Sequence, residues 1–252
     1  MTVFDELRRV VETGDRAVVF TILAGERAGA KLIVLEDGST AGDAPPGLAG
    51  LAPAALRTGR SHVLEHEGTM LFADVYGPPP RLLVYGAVDT AEALCRLAKL
   101  LGWTTVVADA RARFATRERL ASADELLVEW PKEAIARVRP DLATAIVVLT
   151  HDDKFDIPLL QAALASDAFY VGALGSRRNQ ERRRVRLLEA GVPEADVDRI
   201  HGPAGLDIGA ESPAETALSM LAEMLAVRAG RAGGLLRRAT TRIHAEPAAG
   251  KK

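Results

Sequence analysis

The 252-residue sequence has one cysteine, only 4% aromatic residues and almost no excess of either charge, and each shortage removes a class of protein. A lone thiol forms neither a disulfide framework nor a cysteine zinc site. It is Cys95, set within an apolar helical pattern, and it reads as a buried, inert side chain. With 32 basic against 34 acidic residues the formal net charge is −2, so nothing global attracts nucleic acid or an anionic membrane. No run approaches the roughly 18 apolar residues of a membrane span. The opening "MTVFDELRRVVETGDR" carries acids and no continuous apolar core, unlike a signal peptide. A cytoplasmic location is the expectation.

What is present suits a soluble globular fold: 48% apolar and 26% charged residues, enough to bury one large core or two ordinary ones. The first 77 residues read as a short helix (Val3 to Glu12) and the apolar segments "AVVFTILAG" and "AKLIVLEDG", which suit paired strands. A helix near Leu48 to Arg57 follows, then "HVLEH" and "TMLFADVYG". "GPPP", Gly77 to Pro80, continues neither a helix nor a central strand and marks a boundary. From Arg81 short apolar runs alternate with amphipathic helices: "LLVYG", "TTVVAD", "ELLVE", "AIVVLT" and "FYVGALG". That rhythm predicts a parallel sheet covered on both faces. The expected class is therefore α/β, with a Rossmann-like C-terminal domain over 81–229 and a smaller α+β N-terminal domain over 1–77. Residues 230–252, rich in small and basic residues, are expected to be a flexible tail.

Four stretches carry candidate chemistry. The first runs from Gly86, Ala87 and Val88 to Asp89, Thr90 and Ala91, a Gly-x-Val-x-x-Ala version of the dinucleotide fingerprint. Val88 fills the space where a pyrophosphate meets the backbone. Asp89 places a carboxylate where a phosphate needs positive potential, and Asp89 with Glu92 has capping-box spacing. Asp109 ends the second strand, the position of a ribose-binding acid and equally of an ordinary loop residue.

The second is "VVLTHDDKFDIPLLQAAL". Thr150, His151, Asp152 and Asp153 follow a strand and fall on the carboxyl edge of the sheet. His151 with Asp152, Asp153 and Asp156 would serve a metal or a proton transfer. The alternative is that Asp152 or Asp153 caps a helix whose first turn holds Asp156, leaving His151 exposed.

The third is "YVGALGSRRNQERRRVRLLEAG", where Gly172 and Gly175 lead into a helix capped by Ser176. Arg177 and Arg178 in the first turn oppose the helix dipole unless an anion offsets them. Arg182, Arg183, Arg184 and Arg186 read as a solvated face relieved by Glu181 and Glu189.

In the fourth, "IHGPAGLDIGAESPAETALSMLAEML", Ser212, Pro213 and Glu215 start a helix. The loop before it, with Gly202, Gly205 and Gly209 beside His201, Asp207 and Glu211, allows a ligand close to the backbone.

The second, third and fourth stretches, with the "PPPRLLVYGA" junction, resemble the signature blocks of the xanthine dehydrogenase accessory protein (XdhC/CoxI) family over Pro78 to Arg228. The resemblance implies a maturation factor that binds molybdenum cofactor, a phosphate-bearing pterin, and delivers it to a molybdenum hydroxylase of the xanthine or carbon monoxide dehydrogenase type. Such a protein is an accessory chaperone rather than an enzyme. The implied cofactor-binding residues are Gly86, Ala87, Asp109, Thr150, His151, Asp152, Gly172, Gly175, Ser176, Arg177, Arg178, Gly205 and Asp207, with no resident metal ligand. Implied partners are a molybdenum hydroxylase, a cysteine desulfurase and a second copy of the chain.

Two departures mark a divergent member. "GSTAGDAPPG" lacks the cysteine of the family's Gly-Gly-Cys motif, and the turn reads Gly-Ala-Val-Asp in place of Gly-Ala-Gly-His. Two alternatives follow: a partner protein that has lost the cofactor, and an NAD(P)-dependent oxidoreductase.

Overall fold

The structure, a computed structural model, describes residues 2–240. These divide into two compact units separated after Pro78, and the described residues from Gly234 group with the first. Most of the tail expected to be flexible lies outside the described residues.

The first unit opens with helix α1 (Val3–Thr13). Thr2 caps it, accepting a hydrogen bond from the Asp5 N–H while the Asp5 carboxylate accepts from the Thr2 N–H. Gly14 ends it in the left-handed conformation that glycine adopts without a side-chain penalty. Strands β1 (Ala17–Ile22), β2 (Lys31–Leu35) and β3 (Thr40–Gly42) follow. After a 3-10 turn at Pro46–Leu51 come helix α2 (Ala52–Thr58) and strands β4 (His62–His66) and β5 (Thr69–Tyr76). The five strands form one antiparallel sheet, ordered β3-β2-β1-β5-β4. This is the α+β domain read from the sequence, with its expected helix near Leu48 split between the 3-10 turn and α2.

The second unit contains β6 (Arg81–Tyr85), α3 (Asp89–Leu100), β7 (Thr104–Ala108), β8 (Glu125–Leu127), α4 (Pro131–Val138), β9 (Thr144–Val148) and α5 (Asp153–Leu164). It continues with β10 (Tyr170–Ala173), α6 (Arg177–Glu189), α7 (Glu194–Val197), β11 (Ile200–His201) and α8 (Pro213–Arg228). Its six strands pair in parallel in the order β11-β10-β9-β6-β7-β8. In chain sequence that is 6-5-4-1-2-3, the doubly wound Rossmann arrangement, with the reversal of winding between β6 and β9.

Leu82 to Tyr85 and Thr144 to Val148 are fully buried, because helices cover both faces. One face holds Leu83, Ile146, Phe155, Leu159 and Leu187. The other holds Val84, Leu94, Val147, Met220 and Met224. Cys95 is buried among the latter, and burial pushes its thiol up to about 12. Four of the five apolar runs are the interior strands β6, β7, β9 and β10, as the parallel-sheet reading required, while "ELLVE" is the edge strand β8. The two-residue strand β11 had no such signal.

A closed turn and a cationic turn on the sheet's carboxyl edge

The winding reversal places the loop after β9 beside the turn after β6. Gly86, at φ +117°, lies so near that loop that an added Cβ would come within 3.1 Å of the Thr150 backbone nitrogen and side chain. A glycine is needed there for close packing of two loops. The neighbouring N–H groups are spent within the turn: Ala87 donates to Asp109 at 2.9 Å and Val88 to the Gly86 carbonyl at 3.0 Å.

Asp109 is completely buried. Besides the Ala87 N–H it accepts from the Arg111 N–H and from Arg111 Nε and Nη2, at 2.8 to 2.9 Å. Burial alone would raise its carboxyl, but the Arg111 side chain and the two N–H donors hold it below its ordinary value. At the place where a ribose-binding acid would sit, this one is fully engaged as the staple of the turn.

The capping box expected at Asp89 and Glu92 does not form. Val88 occupies the cap position and supplies no side-chain acceptor. Asp89 pairs with Arg119, while both Glu92 oxygens accept from Ser122, one from its N–H and one from its hydroxyl. Spacing indicated a local partner, but one thirty residues away reaches Glu92 first.

In the loop after β9, His151 and Asp152 are exposed. Asp152 caps α5 by accepting from the Lys154 N–H at 3.1 Å. Asp153 lies 3.8 Å from Arg182 and 3.6 Å from Arg186. Among the described residues no group of three histidine, cysteine or acidic side chains is arranged to hold a metal.

Thr150 and Asp156 instead turn inward. The Thr150 hydroxyl donates to Asp156 Oδ1, and Arg183 donates to Asp156 Oδ2 through Nε at 3.0 Å and Nη2 at 2.9 Å. Nη2 also donates to the Leu174 carbonyl at 2.9 Å. The Arg183 side chain is 3% exposed and that of Asp156 2%, so the solvated-face reading fails for Arg183. Burial is the largest influence on Asp156 and lifts its carboxyl above the ordinary value, against the pull of Thr150 and Arg183. The other arginines do face water. Arg184 pairs with Glu194 and Asp198, acids of the following segment rather than the expected Glu181 and Glu189.

The turn from β10 into α6 is built differently from the one after β6. Gly175, at φ +144°, leads to Ser176, whose hydroxyl accepts from the Asn179 N–H at 3.2 Å. The N–H groups of Ser176, Arg177 and Arg178 meet no acceptor among the described residues. Ser176, Arg177 and Arg178 are exposed, and no acid lies in the first turn. Buried Arg183 approaches from below: its Nη1 would lie 3.6 Å from a Cβ on Gly175, and it has no hydrogen-bond partner among the described residues.

The glycines expected to admit a ligand are mostly filled by the protein. A Cβ at Gly172 would strike the Tyr170 ring at 2.6 Å, one at Gly202 the Gln180 amide at 2.2 Å, and one at Gly205 the Ser219 hydroxyl at 2.4 Å. Glu223, which the sequence reading did not single out, organises this loop. It accepts from the Gly205 N–H at 2.8 Å and from the Tyr170 hydroxyl at 2.5 Å, and its other oxygen lies 3.3 Å from His201 Nδ1. The His201 ring stacks on Tyr170. Burial raises the Glu223 carboxyl, but His201, Tyr170 and the Gly205 N–H bring it below its ordinary value. Asp207 is exposed and stands apart from this cluster. Gly86, Thr150, Gly175 and Ser176 thus lie on adjoining carboxyl-edge turns of β6, β9 and β10, whereas Asp207 lies beyond β11.

Fold and turns define a class: a Rossmann domain whose dinucleotide turn is closed by its own carboxylate and whose cationic turn lies two strands away. The chain belongs to the XdhC family, since the XdhC Rossmann domain matches residues 82–224. It is 34% identical over 169 residues to the uncharacterized protein YqeB of Escherichia coli K12, covering 66% of this chain and 30% of that one. It is 31% identical over 160 residues to a Bacillus subtilis 168 protein named as a probable xanthine dehydrogenase subunit, covering 64% and 46%. It is 32% identical over 153 residues to the molybdenum cofactor insertion chaperone PaoD of Escherichia coli K12, covering 61% and 42%. The chain spans less than half the length of these relatives. Among solved structures, one described as a xanthine dehydrogenase from Bacillus halodurans matches with a TM-score of 0.59 and 25% identity, over 90% of this chain and 67% of that one.

Proposed function

We propose that this protein is an accessory factor in the maturation of a molybdenum hydroxylase, and that it holds molybdenum cofactor by the cofactor's phosphate. The observation that carries the reading is the turn at Gly175 to Arg178, where unshared N–H groups and two arginines meet with no carboxylate among them. A helix N-terminus with arginine side chains suits a phosphate monoester, because oriented amides and guanidinium groups both donate to its oxygens. The relatives named for molybdenum cofactor insertion and for xanthine dehydrogenase support the same reading.

The phosphate end of the cofactor fits these residues, and a sulfur ligand to molybdenum does not. Cys95 is buried with its thiol held protonated. Pro45 and Gly47, in the region where the family places its cysteine, line a groove of about 490 Å³ with Glu26, Arg27, Leu48 and His66, and no thiol is among them. When bound, the cofactor would supply the redox chemistry of the client enzyme. This chain's part is to bind it, shield it and present it through Ser176, Arg177 and Arg178, while Thr150, hydrogen-bonded to Asp156, fixes the neighbouring loop. The molybdenum hydroxylase is the partner that reading requires; a cysteine desulfurase and a second copy of the chain are further partners consistent with it.

The test is expression in a molybdate-supplied host, with pterin and molybdenum measured in the purified protein and in an Arg177→Ala, Arg178→Ala variant. Cofactor in the parent and its loss from the variant are expected. A parent that neither carries nor takes up cofactor ends this reading. The absent thiol favours one competitor, a partner protein that kept the fold without the ligand, and it predicts a complex with the hydroxylase in which this chain binds no cofactor.

A further inference from the structure

Arg183 is the one guanidinium of α6 enclosed by protein, and its position extends the proposed phosphate site, on which this inference rests. Two of its donors satisfy Asp156 and one the Leu174 carbonyl. The remaining nitrogen, Nη1, is buried without an acceptor among the described residues and lies against Gly175. An unpaired buried donor costs free energy, and in a packed interior it is retained where something offsets that cost.

We infer that Arg183 is a positioning residue for a phosphoryl anion, holding positive charge beneath the N–H groups of Ser176, Arg177 and Arg178. Because Nη1 is closed to solvent, it acts through the field it sets at the turn and through the Leu174 carbonyl that it fixes. Asp156 accepts from Thr150 as well as from Arg183, so the network also ties the loop after β9 to the turn after β10. The ligand class is a phosphate monoester or free phosphate, which share this chemistry. A neutral pterin without phosphate is outside it.

The test uses the full chain and follows binding of inorganic phosphate and of a nucleoside monophosphate by calorimetry. Ser176→Asp keeps a good helix cap and so preserves the fold, yet places a carboxylate in the site. It should weaken both probes by at least about tenfold. The paired change Arg183→Met, Asp156→Leu removes the buried charges together, which a fold tolerates far better than losing one; phosphate binding should fall about threefold, with the smaller effect expected because the charge acts across the turn. Arg183→Lys restores the charge without the fork geometry, and should recover binding even where it does not recover stability. A parent that binds neither probe overturns the inference, as does a Ser176→Asp variant that binds like the parent. A Lys variant no better than the apolar pair also overturns it. Phosphate binding that follows these variants while no pterin is ever taken up upholds the site and defeats the maturation reading. Pterin uptake indifferent to Ser176→Asp does the reverse.

Discussion

Two strand-to-helix turns of one sheet, after β6 and after β10, start from similar glycine-containing sequences and arrive at opposite electrostatics. At Gly86 to Asp89 the chain supplies its own anion: Asp109 accepts the Ala87 N–H, and Asp89 adds a second carboxylate at the helix start. At Gly175 to Arg178 the first turn holds arginines and no acid, and a third guanidinium lies buried below. In a Rossmann sheet the first turn is where a ligand's phosphate is expected. Here that position is occupied by the chain's own carboxylates, and the turn with arginines and no acid lies two strands away. A strand-turn-helix motif specifies a backbone shape, while the charges placed around it set whether an anion is favoured there.

The comparison is broken most severely by Arg183→Met alone. It leaves Asp156 buried with no cationic partner, a change that costs about 3–5 kcal/mol. Urea unfolding should therefore show a large loss of stability, and adding Asp156→Leu should return most of it. Equal stability of the single and paired variants would mean that the buried pair does not hold the two loops together.

Asp109→Asn tests the closed turn. The amide keeps the shape but replaces an acceptor by a donor facing Arg111 and the Ala87 N–H, so about 2–3 kcal/mol should be lost. Calorimetry should still detect no NAD or NADP binding, since Asp89 stays at the helix start and valine still replaces the middle glycine of the fingerprint. Dinucleotide binding by this variant would show that Asp109 alone had closed the site.

A third carboxylate used in the same way, Glu223 against the Gly205 N–H, has a pH signature. Its folded pKa lies below the ordinary value, so its stabilisation is fully present above the unfolded value of about 4.3 and is lost as pH falls through the folded value. Glu223→Gln should cost about 1–2 kcal/mol at neutral pH and flatten the acid limb of stability against pH. Asp109 bends that limb in the same direction, so the flattening is partial. An acid limb as steep as the parent's would remove Glu223 from the account.

Much of this was legible in the sequence because it is local. Ser212, Pro213 and Glu215 start α8 through contacts within four residues, and the capping box forms as read. The continuous apolar runs of β6 and β9 are buried on both faces because the sheet is parallel. What was not legible depends on residues far apart. Which arginine of a cluster is buried depends on the phase of α6 against Asp156, twenty-seven positions earlier. A signal did exist: Leu187 is four residues beyond Arg183 and is fully buried, and Asp156 shares its helical face with Leu159, Leu160 and Ala163. Helical spacing places both charged residues on apolar stripes. Glu223 and β11 gave less, since a carboxylate inside a long helix and a two-residue strand look unremarkable until the loop that they hold is in place.

The smallest expected effect bears most directly on the closed turn. Val88→Gly restores the middle glycine of the dinucleotide fingerprint, and sequence alone would treat it as the repair of a damaged site. Val88 is the cap residue of α3, at φ −117°, ψ 171°, an extended conformation that valine adopts without strain. The substitution therefore relieves nothing; it removes a partly buried side chain packed against the core that holds Val84 and Leu94 and frees the unfolded chain, at a cost of about 1 kcal/mol. It also leaves Asp109 on the Ala87 N–H and Asp89 at the helix start, two negative charges where a pyrophosphate would approach. A small fall in unfolding free energy with no dinucleotide binding is the expected result. NAD binding by this variant would mean that the Val88 side chain, rather than the carboxylates, had closed the turn.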